Sequence, residues 1–268
     1  MNTYFIGYDA REHEAAAVCA YSIRKQEKKR SKIYMLEHRT LRRLGLFYRD
    51  WTIEANGQLV DNIDGRPFST EFSHSRFLAF KLAQWLPDCD AAMFVDCDWL
   101  FLDDPAKLLD AQRKSGFQIS CMKRQQELTA SVKMDGMKQE DYNRKLWSAL
   151  FTFTPSNALG CTYRPDVINT IPGRDLHNFM GMANELIGDL DRNFHYIPSF
   201  DQKPDNPKGI HYSEWSPWIN PEKEKEYPSE FKLWWEHRDE MLQNAANTGK
   251  FMLADDLEKD IIDLVVDA

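Results

Sequence analysis

Two acidic residues at the end of an apolar run are the residues whose type and spacing most directly suggest chemistry. Ala91-Ala92-Met93-Phe94-Val95 leads straight into Asp96-Cys97-Asp98. Five small or apolar residues in succession read as a short strand covered on both faces, as in a parallel sheet. Asp96 and Asp98 then fall at its carboxyl end, where open α/β sheets gather their ligands. Carboxylates one residue apart repel, and each raises the other's pKa. A divalent cation relieves that repulsion. Hard oxygen ligands suit Mg²⁺ or Mn²⁺, which bind through one or two carboxylates plus substrate phosphates. Taken alone, the pair also fits a solvated strand end.

The sequence carries an internal control. Asp88-Cys89-Asp90 repeats the tripeptide just upstream, after Pro87 and before the strand. That position is the amino-terminal edge of the sheet, so these acids read as a solvated turn with no ligand role. Other polar candidates fall at the opposite edge. Tyr8, Asp9 and Arg11 follow the first apolar run, Thr3 to Tyr8, where a nucleotide would lie; the same residues also fit a capped helix start. Arg76 falls in the first turns of the helix preceding the acidic strand. Its planar fork suits holding Asp96 or reaching a phosphate, and equally a surface ion pair.

The elements that must position these residues follow from periodicity. A strand at Thr3–Tyr8, a helix to about Gln26 with Ala15, Val18, Cys19 and Ile23 on one face, and a strand at Ile33–Leu36 form a β-α-β unit. There is no Gly-x-Gly-x-x-Gly, which argues against a dinucleotide cofactor. Residues 40–66 are irregular, with a hairpin over Trp51–Asp61 turning at Asn56-Gly57. A helix spans Ser69 to Leu86 and stops at Pro87; another runs from Asp103-Asp104-Pro105 to about Lys114. Strands follow at Phe117–Met122 and Leu150–Phe153, separated by a polar stretch, Gln125–Asp141, with the character of a loop or short helix. Helices are expected at 165–171 and 175–187, short strands at 194–198 and 209–211, and a helix at 229–243. An acidic amphipathic segment, 253–268, suits docking on a partner, packing on the body or disorder.

The 268 residues suffice for one large domain or one domain with an appendage. A net charge of −8 argues against non-specific nucleic-acid binding, which needs a basic face. The first residues lack a basic segment followed by a long apolar run, and no stretch approaches a membrane span. Five cysteines at scattered spacings form neither a zinc pattern nor a disulfide framework, which fits a reducing cytoplasm.

Several stretches in order resemble the nucleotide-sugar glycosyltransferases of the GT-A fold, above all the glycogenin-like and galactosyltransferase-like group with its bacterial and phage relatives. They are Ser75-Arg76-Phe77, Phe94-Val95-Asp96-Cys97-Asp98, Tyr142-Asn143-Arg144-Lys145-Leu146-Trp147-Ser148-Ala149, Asp175-Leu176-His177, Ile187-Gly188, Ile197-Pro198-Ser199-Phe200-Asp201 and Ile210-His211-Tyr212-Ser213-Glu214-Trp215-Ser216-Pro217-Trp218. The resemblance covers residues 3 to about 220. Glu214, Trp215 and Ser216 depart from it, standing where small and basic residues usually face the diphosphate, and Phe200 and Asp201 replace Trp and Asn.

The resemblance implies a Rossmann-like, mixed but mainly parallel central sheet flanked by helices. A glycosyltransferase domain would occupy residues 1–220, split into a nucleotide-binding half (1–122) and an acceptor-side half (123–220), with a helical extension at 221–268. It implies a Mn²⁺ (or Mg²⁺) site of Asp96, Asp98 and His211. Nucleotide-sugar contacts would come from Tyr8, Asp9, Arg11, Arg76, Asp96, Arg144, Lys145 and Trp218, with Asp175, His177 and Asp201 as polar candidates for catalysis. The activity implied is transfer of a hexose from a nucleotide diphosphate sugar, UDP-linked, to a carbohydrate, lipid or protein acceptor, with retention. A nucleotide-sugar-binding protein without transferase activity, a metal-dependent phosphatase of the haloacid-dehalogenase type and a plain interaction protein are the rivals. Against the phosphatase, Trp99-Leu100 stands where that type has a small residue and Thr.

Overall fold

The computed structural model describes residues 1–124, 144, 146–248 and 254–266 of the chain. The elements in order are β1 (Asn2–Tyr8), α1 (His13–Gln26), β2 (Lys32–Glu37), α2 (His38–Arg43), β3 (Trp51–Ile53), β4 (Leu59–Asp61), β5 (Pro67–Phe68), α3 (Ala79–Trp85), β6 (Ala91–Val95), β7 (Trp99–Phe101), α4 (Ala106–Ser115), β8 (Ile119–Cys121), β9 (Leu150–Phe153), α5 (Asn157–Thr162), α6 (Pro165–Ile168), α7 (Gly173–His177), β10 (Ile187–Asp189), β11 (Gly209–His211), α8 (Pro228–Thr248) and α9 (Leu257–Val266). Six strands form the central sheet in the order β10-β8-β9-β6-β1-β2. β1 runs parallel to both β2 and β6, and β10 parallel to β8, while β9 lies antiparallel between β6 and β8. This is the mixed, mainly parallel sheet with flanking helices that the sequence predicts.

β6 is buried at every residue because it lies in the sheet's interior with helices over it. Its register with β1, Ile6 opposite Val95, brings Tyr8 and Asp96 to one edge. The Asp88-Cys89-Asp90 repeat lies at the other edge, as its position before the strand requires. Asp90 there is exposed and pairs with the chain's amino terminus and Arg113.

β7 and β11 form a separate two-stranded antiparallel pair, with Trp99 opposite His211. Gly209 is required at its position, because a Cβ would meet the Phe194 carbonyl oxygen at 2.6 Å. Around this pair a second apolar cluster gathers Leu100, Ile210, Tyr212 and Trp215 with Val18 of α1 and Phe231 and Trp234 of α8. The late helix is thereby packed onto the body.

Several elements depart from expectation. The helix expected from Ser69 begins as a 3₁₀ turn at Ser75–Leu78 and becomes α-helical only at Ala79. Of the helix expected over 175–187, only Gly173–His177 is α-helical; Phe179 and Met180 take positive φ and break it. The strand expected at 194–198 is reduced to a single bridge from Tyr196 to Ile210. The expected hairpin forms as β3 and β4, with Gly57 at φ 85° in its turn, and acquires a third strand, β5. The polar stretch 125–141 lies outside the described residues. The terminal acidic segment, over 254–266, packs on the body. Asp255 exchanges hydrogen bonds with the backbone of edge residue Ile33 (2.6 and 2.9 Å), Asp260 accepts from Tyr34 Oη (2.6 Å), and Leu257 and Ile261 enter the main core. An unpaired strand edge is thus covered.

The excursion between α2 and α3 is pinned by a buried ion pair. Arg49 and Asp61, 0% and 2% exposed at their side chains, bond each other through both guanidinium nitrogens that face Asp61. Arg49 Nη1 also donates to the carbonyls of Ile168 (2.8 Å) and Ile171 (2.7 Å). Removing one partner of such a pair leaves an uncompensated buried charge, at a cost of about 3–5 kcal/mol. Asp61→Ala is therefore expected to lower unfolding free energy by roughly that amount in urea titrations. A loss below about 1 kcal/mol, the range of an exposed pair, contradicts the pinning role.

Candidate metal and nucleotide site

β6 ends at Val95, and the main chain of Asp96 is held by its N–H donating to the Ala149 carbonyl (2.8 Å). The chain then turns, so that Asp96 and Asp98 face one side while Cys97 points inward, its thiol donating to Glu12 (3.5 Å). Both aspartates are buried, at 4% and 3% exposure. Arg76 Nη1 sits 2.8 Å from Asp96 Oδ1 and 2.8 Å from the Ser148 carbonyl, and its Nε donates to the Ser73 carbonyl (3.1 Å). The guanidinium lies over the rings of Phe72 and Phe94, each 5.2 Å away. An always-charged fork in an aromatic slot fixes the orientation of the Asp96 carboxylate.

His211 arrives from more than a hundred residues downstream through the β7–β11 pairing. Its Nε2 lies 3.2 Å from Asp98 Oδ1, and the Tyr212 N–H donates to the Asp98 carbonyl (2.9 Å), tying the two segments together. The Trp99 indole stacks on the His211 ring at 4.3 Å and 17°. His211 Nδ1 lies 2.9 Å from His195 Nε2. Burial pushes the His195 pKa well below its ordinary value, and His211 and Arg124 push it the same way, so His195 is neutral. One ligand atom from each of Asp96, Asp98 and His211 lies within 4.8 Å of the others. Two carboxylates and one imidazole, buried and converging, are a donor set that fits Mn²⁺ or Mg²⁺.

Beside Asp96 and Arg76 opens a cleft of about 60 Å³, lined in part by Ser73, His74, Ser148, Arg174 and His177. The Ser148 hydroxyl and His177 Nδ1 are 2.7 Å apart. Burial, then Arg49 and Arg76, push the His74 pKa well below its ordinary value, so that ring too is neutral.

The remaining predicted residues divide. Tyr8 stands on the same sheet edge, half-buried, with its hydroxyl 2.9 Å from His13 Nδ1. Asp9 is fully buried and caps the turn after β1; it accepts from the Arg11 backbone (2.9 Å), from Arg11 Nε and Nη2 (3.0 and 2.7 Å) and from the Glu71 N–H (3.0 Å). Arg11 reaches on to the Ser69 carbonyl, so the pair clamps β1 to the chain before α3. Arg144 donates to the carbonyls of Asn178 (2.8 Å) and Met182 and to the Asn184 side chain (2.6 Å), bracing the 178–184 turn. Asp201 forms a bidentate pair with Arg124 and caps the Ile197 N–H (2.7 Å). Trp218 packs among Tyr212 and Trp234. Asp175 is exposed on α7. Lys145 lies outside the described residues. Sequence reasoning did not single out His195, Ser148 or His74. His195 was legible only as a member of a short apolar stretch, and nothing in its neighbours announced its contact with His211.

No family model matches the chain. Protein CDI of Arabidopsis thaliana is 32% identical over 228 residues, 83% of this chain and 82% of that protein. Among solved structures, the bifunctional glycosyltransferase WbbM in its apo form superposes with a TM-score of 0.55 at 14% identity, over 88% of this chain and 49% of that one. The glycosyltransferase GlyE of Streptococcus pneumoniae gives 0.51 at 12% identity, over 99% of this chain and 63% of that one. This chain therefore spans about half the length of WbbM and under two thirds of GlyE. The fold shared with them is the GT-A fold.

Burial alone would raise the Asp9 pKa, but Arg11 and the N–H groups of Glu71 and Arg11 outweigh it and hold the carboxyl below its ordinary value. A carboxylate so depressed contributes stability that is complete above its unfolded pKa of about 3.9 and lost as pH falls through the lower, folded value. Urea titrations across pH should show Asp9→Asn less stable than the parent at pH 7, with the gap closing below about pH 4. A gap independent of pH contradicts the clamp.

Proposed function

The chain belongs to the family of Protein CDI, and from its GT-A fold and its buried Asp-Asp-His group we propose that it is a metal-dependent glycosyltransferase. In this reading it moves a hexose from a UDP-linked sugar to an acceptor with retention of configuration. The observation that carries the reading is the buried Asp96–Asp98–His211 group at the carboxyl edge of a GT-A sheet. When the anomeric bond breaks, negative charge grows on the departing diphosphate. A bound Mn²⁺ or Mg²⁺ supplies neutralisation of that charge without proton transfer.

The chain's own groups prepare the site. Arg76 holds Asp96 at a fixed angle through a 2.8 Å contact, so the carboxylate need not reorganise on binding. Tyr8, Asp9 and Arg11 stand beside the acidic pair at the end of β1, where the base and ribose would lie; a base stacked on Tyr8 gains about 1–3 kcal/mol by analogy with other base–aromatic contacts. The cleft beside Asp96, at about 60 Å³ too small to enclose a hexose, would meet only an edge of the transferred sugar. There the Ser148–His177 pair offers hydroxyl and imidazole groups for orienting it. Trp99, buried and stacked on His211, keeps water from that side of the site, which would protect an activated sugar from hydrolysis. All five cysteines are unpaired, which supports a reducing compartment such as the cytoplasm. Among the described residues no helix is long and apolar enough to cross a membrane.

Calorimetry separates this reading from its rivals. UDP should bind in the presence of Mn²⁺ and give little or no heat in chelator, because the acidic site repels a bare diphosphate. Asp98→Ala should abolish the metal-dependent heat and the release of UDP from a UDP-hexose. Asp88→Ala and Asp90→Ala, at the other sheet edge, should leave both nearly unchanged. Equal UDP affinity with and without metal would sink the assignment.

A further inference from the structure

We propose that His195 is a positioning residue, which accepts a hydrogen bond from His211 Nδ1 and so directs the lone pair of His211 Nε2 toward Asp96 and Asp98. The inference rests on the cation reading above and concerns a residue outside the ligand set.

The 2.9 Å contact between His195 Nε2 and His211 Nδ1 holds one proton, and its direction decides what His211 can do. If His195 donates, a neutral His211 carries its proton on Nε2. That nitrogen then points a donor at Asp98 Oδ1, 3.2 Å away, and offers no lone pair. If His211 donates, Nε2 is bare and joins the two carboxylates as a ligand. A cation at this group selects the second arrangement, and His195 is the acceptor that makes it available.

The surroundings hold both rings for this purpose. His195 and His211 are 2% and 0% exposed. Trp99 packs on both, at 4.6 and 4.3 Å between ring centres, and is itself fixed by its indole N–H donating to the Phe194 carbonyl (3.0 Å). The main chain of His195 accepts from Arg124 Nη2 (2.7 Å) and donates to the Arg192 carbonyl (2.9 Å). With His195 Nε2 as acceptor, its proton sits on Nδ1, which has no hydrogen-bond partner among the described residues. His195 also borders a polar cavity of about 370 Å³ whose walls include Asn193, Gln202 and Arg124. Metal-binding imidazoles are commonly oriented through their second N–H by a carboxylate, a carbonyl or water. A neutral imidazole does the same here without adding a third negative charge beside Asp96 and Asp98.

The test compares His195→Phe, which keeps a ring against Trp99 but removes the acceptor, with His195→Gln, whose amide oxygen can restore it. Mn²⁺ affinity of each full-length protein is measured without nucleotide, by paramagnetic resonance of free Mn²⁺. His195→Phe should weaken binding about 10–100-fold, while His195→Gln stays within about threefold of the parent. Parent-like binding by His195→Phe, or an equal loss in both variants at unchanged melting temperature, overturns the inference and leaves the metal site standing. Absence of Mn²⁺ binding by the parent overturns the metal reading itself. Should His195→Phe fail to fold, ¹⁵N-histidine spectra of the parent protein loaded with diamagnetic Cd²⁺ decide the matter. His211 must then show a protonated Nδ1 and a bare Nε2; the reverse assignment overturns the inference.

Discussion

Two carboxylates buried one residue apart are the constraint on which the arrangement of this molecule turns. Taking a charge out of water is expensive, and taking two like charges out together is worse unless each is compensated. Asp96 is met by the Arg76 guanidinium, and Asp98 lies 3.2 Å from His211 Nε2. Each of these neighbours has to be carried to the strand end by its own element. Arg76 comes on the 3₁₀ turn before α3, seated over Phe72 and Phe94, and His211 comes on β11 by pairing with β7. The second apolar cluster and α8 then hold β7 and β11 in place from behind. Layers far from the carboxylates thus contribute to keeping two charges where water would otherwise claim them.

The parts of this scaffold that sequence reveals are those with a long enough apolar signal. β1, α1, β2, β6 and α4 all carry runs or faces of several residues, and all lie close to where periodicity places them. The acidic pair was legible as a strand end because β6 is apolar throughout, and the Asp88-Cys89-Asp90 repeat was separable from it by position alone. The parts that escaped are short and depend on partners distant in sequence. β7 and β11 have three residues each, too few for a period to declare itself, and their pairing is fixed by contacts across more than a hundred residues. His211 could be named only through a family resemblance. His195, one segment earlier, had no motif to mark it, since its role depends on a contact that exists only after both segments have returned to the sheet edge.

Residues with the right chemistry can also be spent on the scaffold. Asp201 and Arg144 have side chains suited to catalysis or phosphate binding, yet Asp201 closes a bidentate pair with Arg124 and Arg144 braces three acceptors in the 178–184 turn. Asp9 and Arg11 likewise satisfy each other while standing next to the proposed base site. Such pairs are not inert. A backbone that must present flexible side chains at one edge needs rigid anchors beside them, and a buried ion pair with several backbone acceptors is a stiff one.

The electrostatic sign of the site sets the order in which it can be filled. Among the described residues the close permanent cation beside Asp96 and Asp98 is Arg76, and these three charges sum to a negative group. The chain as a whole carries a net charge of −8, so the long-range field does not reverse that sign. The buried imidazoles of His74 and His195 are both held neutral and add nothing to it. On the proposed function, a nucleotide diphosphate approaching this edge would meet repulsion in low dielectric, where Coulomb terms are large. A divalent cation held by Asp96, Asp98 and His211 would change the sign of the group from negative to positive. In the proposed function the diphosphate would then be the counter-charge to the cation, which would bind before or together with the nucleotide.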